Sequence, residues 1–110
     1  MTSSPPSDTL LRLQAWYHDQ CNGDWEHTYG ISIGTLDNPG WCFTVELTDT
    51  YLYETAFDST AFDGEQAHDW FQCTRKSNPA IFEGACGPRH LNTVIGIFLE
   101  WAEANRATGV

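Results

Sequence analysis

The stretch TLDNPGWCFTVELT, residues 35–48, contains a turn signal followed by a regular alternation of side chains. The residues DNPG at 37–40 are of the types that favour a tight reversal of the chain. Large apolar residues then occur at every second position, which is the period of a β-strand buried on one face. They are Trp41, Phe43, Val45 and Leu47. The stretch therefore predicts the turn and second strand of a β-hairpin.

The first strand of that hairpin is predicted to begin at Trp25, because a period of two also runs through residues 25–34. One face of this strand would carry Trp25, His27, Tyr29, Ile31 and Ile33. Since His27 shares that face with apolar residues, we expect it to be partly buried with a hydrogen-bond partner; a direct partner contact is the alternative. Trp25 and Trp41 are expected in the core or at its edge.

Three further strands are predicted after the hairpin. The third covers 51–57, with Tyr51, Tyr53 and Phe57 on one face, and a polar loop follows at 58–68. The fourth covers 69–75 and the fifth 80–86, with a turn signal at 77–79. Because Trp70 and Phe71 are adjacent in the fourth strand, one of them must face away from any covering helix.

Helices are predicted at both ends of the chain. Ser7 or Asp8 can cap the first, and Gly23 can end it in a left-handed conformation. Its apolar residues recur at helical spacing, and they are Leu10, Leu13, Trp16 and Tyr17. The last helix is predicted to open at Gly87 and Pro88 and to end before Gly109. Its apolar stripe is Leu91, Val94, Ile95, Phe98, Leu99 and Ala102.

This order of elements predicts an α+β fold. Tight turns between consecutive strands imply an antiparallel meander sheet of about five strands. The N-terminal and C-terminal helices would pack on one face of the sheet, and the other face would be open to solvent or to a partner. We expect one domain, residues 8–110, behind a flexible tail at 1–7.

The net charge of −10, from fifteen Asp and Glu against five Lys and Arg, limits the classes of partner. Phosphate backbones and anionic membranes would be repelled, so neither direct nucleic-acid binding nor membrane binding is expected. A basic protein would be attracted. The alternative is an acidic protein, such as a scaffold or ligand-binding domain, whose charge has no specific target.

The four cysteines are Cys21, Cys42, Cys73 and Cys86, and no two form a CxxC pair that would indicate a structural zinc site. The opening residues MTSSPPSD contain no basic, apolar leader of the secretory type. We therefore expect reduced thiols and a cytoplasmic protein, although two disulfides stay possible.

The segment CNGDWEH, residues 21–27, combines groups that could serve chemistry. Its possible metal ligands are Cys21, Asp24, Glu26 and His27, but a strand would direct Glu26 and His27 to opposite faces. A thiol site could use Cys21 or Cys86 with His27, His68 or His90. A small metal-dependent or thiol enzyme is therefore the alternative function; the leading interpretation has no catalytic residues, metal or cofactor.

Several longer runs together resemble the immunity protein 53 family of bacterial polymorphic toxin systems. They are LQAWYHDQCNGDWEHTYGI, TLDNPGW, FEGACGP and FLEWA, between Leu13 and Ala102. Asn22 stands where an aspartate is more usual in that family. The resemblance implies a protein that is encoded beside a toxin and neutralises it by binding. We expect this protein to be a monomer or weak dimer. A basic, nucleic-acid-cleaving toxin would suit the charge of this chain.

On this interpretation, carboxylates and one or two aromatic residues would contact the toxin. The expected charged contacts are Asp24, Glu26, Asp37, Glu46, Glu54 and Asp69, and the expected aromatic anchor is Trp70 or Tyr53. A carboxylate at residues 24–26 can also bind backbone N–H groups of its own turn. Structural roles are expected for Trp16, Tyr17, Trp25, His27, Tyr29 and Trp41.

Overall fold

The computed structural model describes residues 8–106, which form three helices and five strands. The helices are α1 (Asp8–Gln20), α2 (Trp25–Thr28) and α3 (Leu91–Ala104). The strands are β1 (Ile31–Leu36), β2 (Gly40–Glu46), β3 (Thr60–Asp63), β4 (Trp70–Ser77) and β5 (Ala80–Cys86). The predictions for residues 1–7 and for Gly109 lie outside the described residues.

The predicted α+β class and the antiparallel five-stranded sheet are confirmed. Spatial order in the sheet is β1-β2-β5-β4-β3, with antiparallel pairing throughout. Tight turns join β1 to β2 and β4 to β5, as predicted, and each contains a cis peptide bond before proline. The predicted meander order is wrong: the long connection after β2 lets β5 pair with β2, which makes β1 and β3 the two edges of the sheet.

The start of the first predicted strand and the whole of the third predicted strand are wrong. Residues 25–28 form a helical turn, so the first strand begins only at Ile31. Residues 51–57 form turns and irregular structure, and the third strand is instead Thr60–Asp63, inside the predicted loop. The last helix begins at Leu91, three residues after Pro88, because residues 87–90 form a turn closed by the backbone N–H of His90 and the carbonyl of Gly87.

The core lies between the sheet and α3, which contacts β2, β4 and β5, while α1 packs against α3. Phe98 of α3 contacts Phe43 of β2 and Phe82 of β5 edge to face. Trp16 of α1 completes the cluster, with its ring centroid 5.0 Å from that of Phe98. The stripe predicted for the last helix is therefore the stripe that covers the sheet, and its burial drives the packing.

Indole N–H groups hold the connection between β2 and β3 in its irregular path. Trp25 donates to the carbonyl of Thr48 at 3.0 Å, and Trp101 of α3 donates to the carbonyl of Ala56 at 2.8 Å. Leu52, between these two points, is fully buried. These long-range contacts explain why residues 51–57 do not form a strand despite their alternating aromatic side chains.

Candidate partner-binding surface

The turn between α1 and α2 is closed by two reciprocal side chains. The side-chain oxygen of Asn22 accepts hydrogen bonds from the backbone N–H groups of Asp24 and Trp25, at 3.0 and 2.9 Å. The carboxylate of Glu26 accepts from the N–H groups of Asn22 and Gly23, at 2.9 and 2.8 Å. Gly23 has a φ of 89°, the left-handed conformation that glycine adopts at least cost. The arrangement resembles a capping box and explains why the segment is helical.

These contacts give Glu26 and Asp24 different roles in the turn: among the described residues, the first binds backbone N–H groups, and the second does not. Backbone N–H groups of Glu26 itself, Asn22 and Gly23 lower the pKa of the Glu26 carboxyl. Within residues 8–106 the carboxylate of Asp24 has no hydrogen-bond or ion-pair partner, so it is available to solvent. The expected partial burial of His27 is wrong: the side chain is exposed because the helical turn directs Trp25, and not His27, into the core.

The enzyme alternative requires a metal site or a reactive thiol. Among the described residues, no group of three or more His, Cys, Asp and Glu side chains is placed to hold a metal ion. Burial raises the pKa of the Cys86 thiol, and it raises that of Cys73 to about 12. Nucleophilic cysteines react as thiolates, which these two buried side chains disfavour. Cys21 donates its thiol hydrogen to the carbonyl of Tyr17 at 3.4 Å.

The face of the sheet opposite α3 is called here the open face. Glu46 of β2 lies on it and borders a groove of about 250 Å³. The groove also contains Lys76 of β4 and Glu83 of β5, whose charged atoms lie 3.2 Å apart. Glu46 itself forms no ion pair within the described range, so it adds net negative charge to the groove.

Tyr53 and Glu54 lie in the connection after β2, at the same end of the sheet as Glu46. Arg75 of β4 positions this segment, because its guanidinium donates to the backbone carbonyls of Leu52 and Tyr53. The Tyr53 side chain is 48% exposed. Glu54 is also exposed, and no ion pair to it occurs between residues 8 and 106.

Asp37, Asp69 and Trp70 lie at the opposite end of the sheet. Asp37 is exposed in the turn between β1 and β2. The Asp69 carboxylate lies 2.6 Å from the imidazole Nε2 of His90, beside a surface depression of about 640 Å³. Phe71 packs against the core, so its neighbour Trp70 points to the open face, half-buried beside β3.

The structure thus divides the eight predicted contacts between the two ends of one sheet. One end holds Asp24, Glu26, Glu46, Tyr53 and Glu54, and the other holds Asp37, Asp69 and Trp70. Strands of six to eight residues separate the ends by roughly 20 Å at about 3.3 Å per residue. A partner of ordinary interface size, about 800 Å² on each side, could reach both ends across the open face.

The distribution of charge is a feature that the sequence reasoning missed. No Lys or Arg occurs between Arg12 and Arg75, while most of the fifteen Asp and Glu lie in that span. Arg12 pairs with Glu103, at 2.8 and 3.0 Å, which fixes α1 to α3. The span includes α2, β1, β2 and β3, and an acidic residue stands at the end of each edge strand, Asp37 after β1 and Asp63 in β3. The sequence itself shows this gap in basic residues, which the net charge alone does not reveal.

Residues 10–103 match the family model of immunity protein 53. The chain belongs to the immunity protein 53 family. No curated protein and no solved structure matches it. In the part of the chain that the structure describes, no helix is long and apolar enough to cross a membrane.

Structural roles were expected for several aromatic residues of this immunity protein 53 chain. These residues lie in different environments. Trp16 and Trp25 are in the core, each with 2% of its surface exposed. Trp41 and Tyr29 are partly buried against the core, and Trp41 donates its indole N–H to the carbonyl of Pro88 at 3.0 Å. Tyr17 is 40% exposed and contacts Trp25 edge to face. Their roles in folding stay predictions.

Proposed function

We propose that this immunity protein binds the toxin domain encoded beside it and blocks that domain by protein–protein association, in the cytoplasm and without catalysis of its own. The observation that carries the proposal is the match of residues 10–103 to immunity protein 53. The buried, protonated thiols of Cys73 and Cys86 support a binding role over thiol chemistry.

The toxin we propose is basic and acts on nucleic acid. A net charge of −10 supports this, because carboxylates of an inhibitor can occupy the sites where such an enzyme holds phosphates. Opposite charges also speed the encounter of the two proteins, by factors that fall as salt is added. Direct binding of nucleic acid by the immunity protein would meet repulsion from the same carboxylates.

The surface we propose for the toxin is the open face with its two ends. Charged contacts would come from Asp24, Asp37, Glu46 and Glu54, whose carboxylates have no partner within residues 8–106. Trp70 or Tyr53 would be the aromatic anchor, since both present aromatic surface outside the core. Glu26 and Asp69 also have partners within the protein, so their substitution would affect folding together with binding.

Co-expression with the toxin domain of the neighbouring gene tests the function. We expect the chain to restore growth of cells that express the domain, and to co-purify with it. Charge reversal of exposed Glu100 on α3, away from the open face, is a control that should leave protection unchanged. Failure of the wild-type chain to protect cells or to bind the domain at micromolar concentration would refute the proposed function.

A further inference from the structure

We propose that the toxin on the open face also pairs with the free edge of β1, which borders that face, by adding one of its own extended strands to the sheet; this inference rests on the proposed function. The strand belongs to the edge of the sheet because β1 pairs with β2 alone among the described residues. Addition of a strand to an exposed edge is a general mode of peptide recognition, with affinity from backbone hydrogen bonds.

The register shows which backbone groups the edge offers. The N–H of Glu46 donates to the carbonyl of Gly30 at 3.0 Å, so this opposed pair is a hydrogen-bonded one. Bonded and non-bonded pairs alternate along an antiparallel ladder. Ile31, Ile33 and Thr35 therefore direct their N–H and carbonyl groups away from β2, towards the position of an added strand.

This edge lacks the features by which proteins usually prevent strand addition. Charged side chains, prolines, bulges and short length protect natural sheet edges. β1 has six residues, ISIGTL, with no charge and no proline, and its four central residues are exposed. Ile33 is 43% exposed and offers an apolar contact to an added strand.

The opposite edge is a useful contrast. β3 has only four residues and ends in Asp63, so its edge is both short and charged. Phe62 of β3 is 44% exposed, and its ring stacks on Phe71 of the neighbouring strand β4 at a centroid distance of 5.5 Å. All four residues of β3 are exposed, as are the four central residues of β1, so the two edges differ in length and charge, and β1 is the less protected one.

The negative charges at the two ends of β1 indicate which residues a partner strand would carry. Asp37 follows the strand directly, and Glu46 lies opposite Gly30 at its other end, with Asp24 in the preceding turn. A toxin strand that carries Lys or Arg at its two ends and small or apolar residues between them fits this pattern.

The same charges disfavour a second copy of this chain as the occupant. An antiparallel, two-fold pairing of β1 with β1 would bring Asp37 of one copy near Glu46 and Asp24 of the other. Like charges placed opposite each other across strands are destabilising, and each copy has a net charge of −10. The proposal therefore commits to a basic strand of the toxin.

Amide hydrogen exchange on the wild-type protein is the deciding measurement. The probe is the toxin domain encoded by the neighbouring gene, carrying a substitution in its active site that removes its activity. The N–H groups of Ile31, Ile33 and Thr35 should exchange rapidly in the free protein and at least about tenfold more slowly in the complex. The N–H of Ala61, at the β3 edge, should not change. A complex in which the three β1 amides stay unprotected would overturn the docking mode while leaving the proposed function intact.

Substitutions supply a second measurement. Thr35→Pro removes one outward N–H at a position where an edge strand tolerates proline, and should weaken toxin binding about tenfold or more. Thr35→Val retains the N–H, and Ala61→Pro makes the matched change at the β3 edge; both should bind as wild type. Equal binding by folded Thr35→Pro would overturn the proposal, as would protection of the β1 amides through dimerisation of the free protein. No binding by the wild-type chain would refute the proposed function itself.

Discussion

The hydroxyl of Tyr51 accepts a hydrogen bond from the buried indole N–H of Trp16, with 3.0 Å between oxygen and nitrogen. The same hydroxyl donates to the carbonyl of Ala102 in α3, also at 3.0 Å. One phenol group therefore joins α1, α3 and the connection after β2. Burial raises the pKa of this hydroxyl, which keeps it protonated and able to donate at neutral pH.

Tyr51→Phe should consequently destabilise the protein, because it leaves the indole N–H of Trp16 buried without an acceptor. We expect a loss of about 1–3 kcal/mol in the free energy of unfolding, measured by urea denaturation. Tyr53→Phe is the matched control, since within residues 8–106 the Tyr53 hydroxyl forms no hydrogen bond and the side chain is exposed. Equal midpoints for the two variants would contradict the bridging role of Tyr51.

Glu26→Gln should lower the urea midpoint at neutral pH, because the ionised carboxylate accepts the N–H groups of Asn22 and Gly23. The folded protein lowers the pKa of Glu26, so its stabilisation is present above the unfolded value of about 4.3. It is lost as the pH falls through the lowered folded value. The difference between wild type and variant should therefore shrink between pH 7 and strongly acidic solution.

The control for Glu26 is Asp24→Asn in the same turn, since no described residue pairs with the Asp24 carboxylate. It should change the midpoint less than Glu26→Gln at pH 7. The urea midpoints of wild type and Glu26→Gln would then be compared from pH 7 to acidic pH. If their difference stays constant, the ionised carboxylate does not stabilise the turn.

Gly84→Ala should disrupt the packing of β5 against α3. A Cβ atom on Gly84 would overlap with the Cγ1 atom of Val94, a fully buried residue of the helix. Overpacking of this kind costs about 1–3 kcal/mol. Gly34→Ala in β1 is the control, because among the described residues no atom beyond its two chain neighbours lies within 4 Å of the added Cβ there. Thermal melting of both variants decides: a Gly84→Ala protein as stable as Gly34→Ala would mean that α3 can move away without cost.

Patterns of neighbouring residues in the sequence predicted the helices and strands that depend mainly on contacts close by in the chain. β5 was predicted to its exact bounds, Ala80–Cys86, because a turn signal precedes it and its side chains alternate. The alternation at 25–30 was misleading, since hydrogen bonds from Asn22 and Glu26 stabilise a helical turn there. Such side-chain bonds to the backbone compete with strand formation, but their geometry is visible only in the folded chain.

The candidate site was harder to predict because it depends on strand order. The sequence identified carboxylates such as Asp37 and Glu46, but it could not show which edge of the sheet remains free. That edge follows from the pairing of β2 with β5, a contact between segments far apart in the chain. The exposure of β1 is therefore a property of the topology, and no motif within β1 records it.

Glu46→Lys should weaken binding of the toxin domain if the open face contacts a basic surface. Reversal of one carboxylate in the groove would replace an attraction by a repulsion, and close charge pairs across interfaces contribute about 1.5–7 kcal/mol. We expect a loss of at least about tenfold in affinity, mostly in the association rate at low salt, measured by surface plasmon resonance at two salt concentrations. Glu100→Lys on α3 makes the same change of charge on an exposed helix position and should alter affinity far less. Equal losses for both variants would indicate that only the total charge matters and that the groove around Glu46 is not part of the interface.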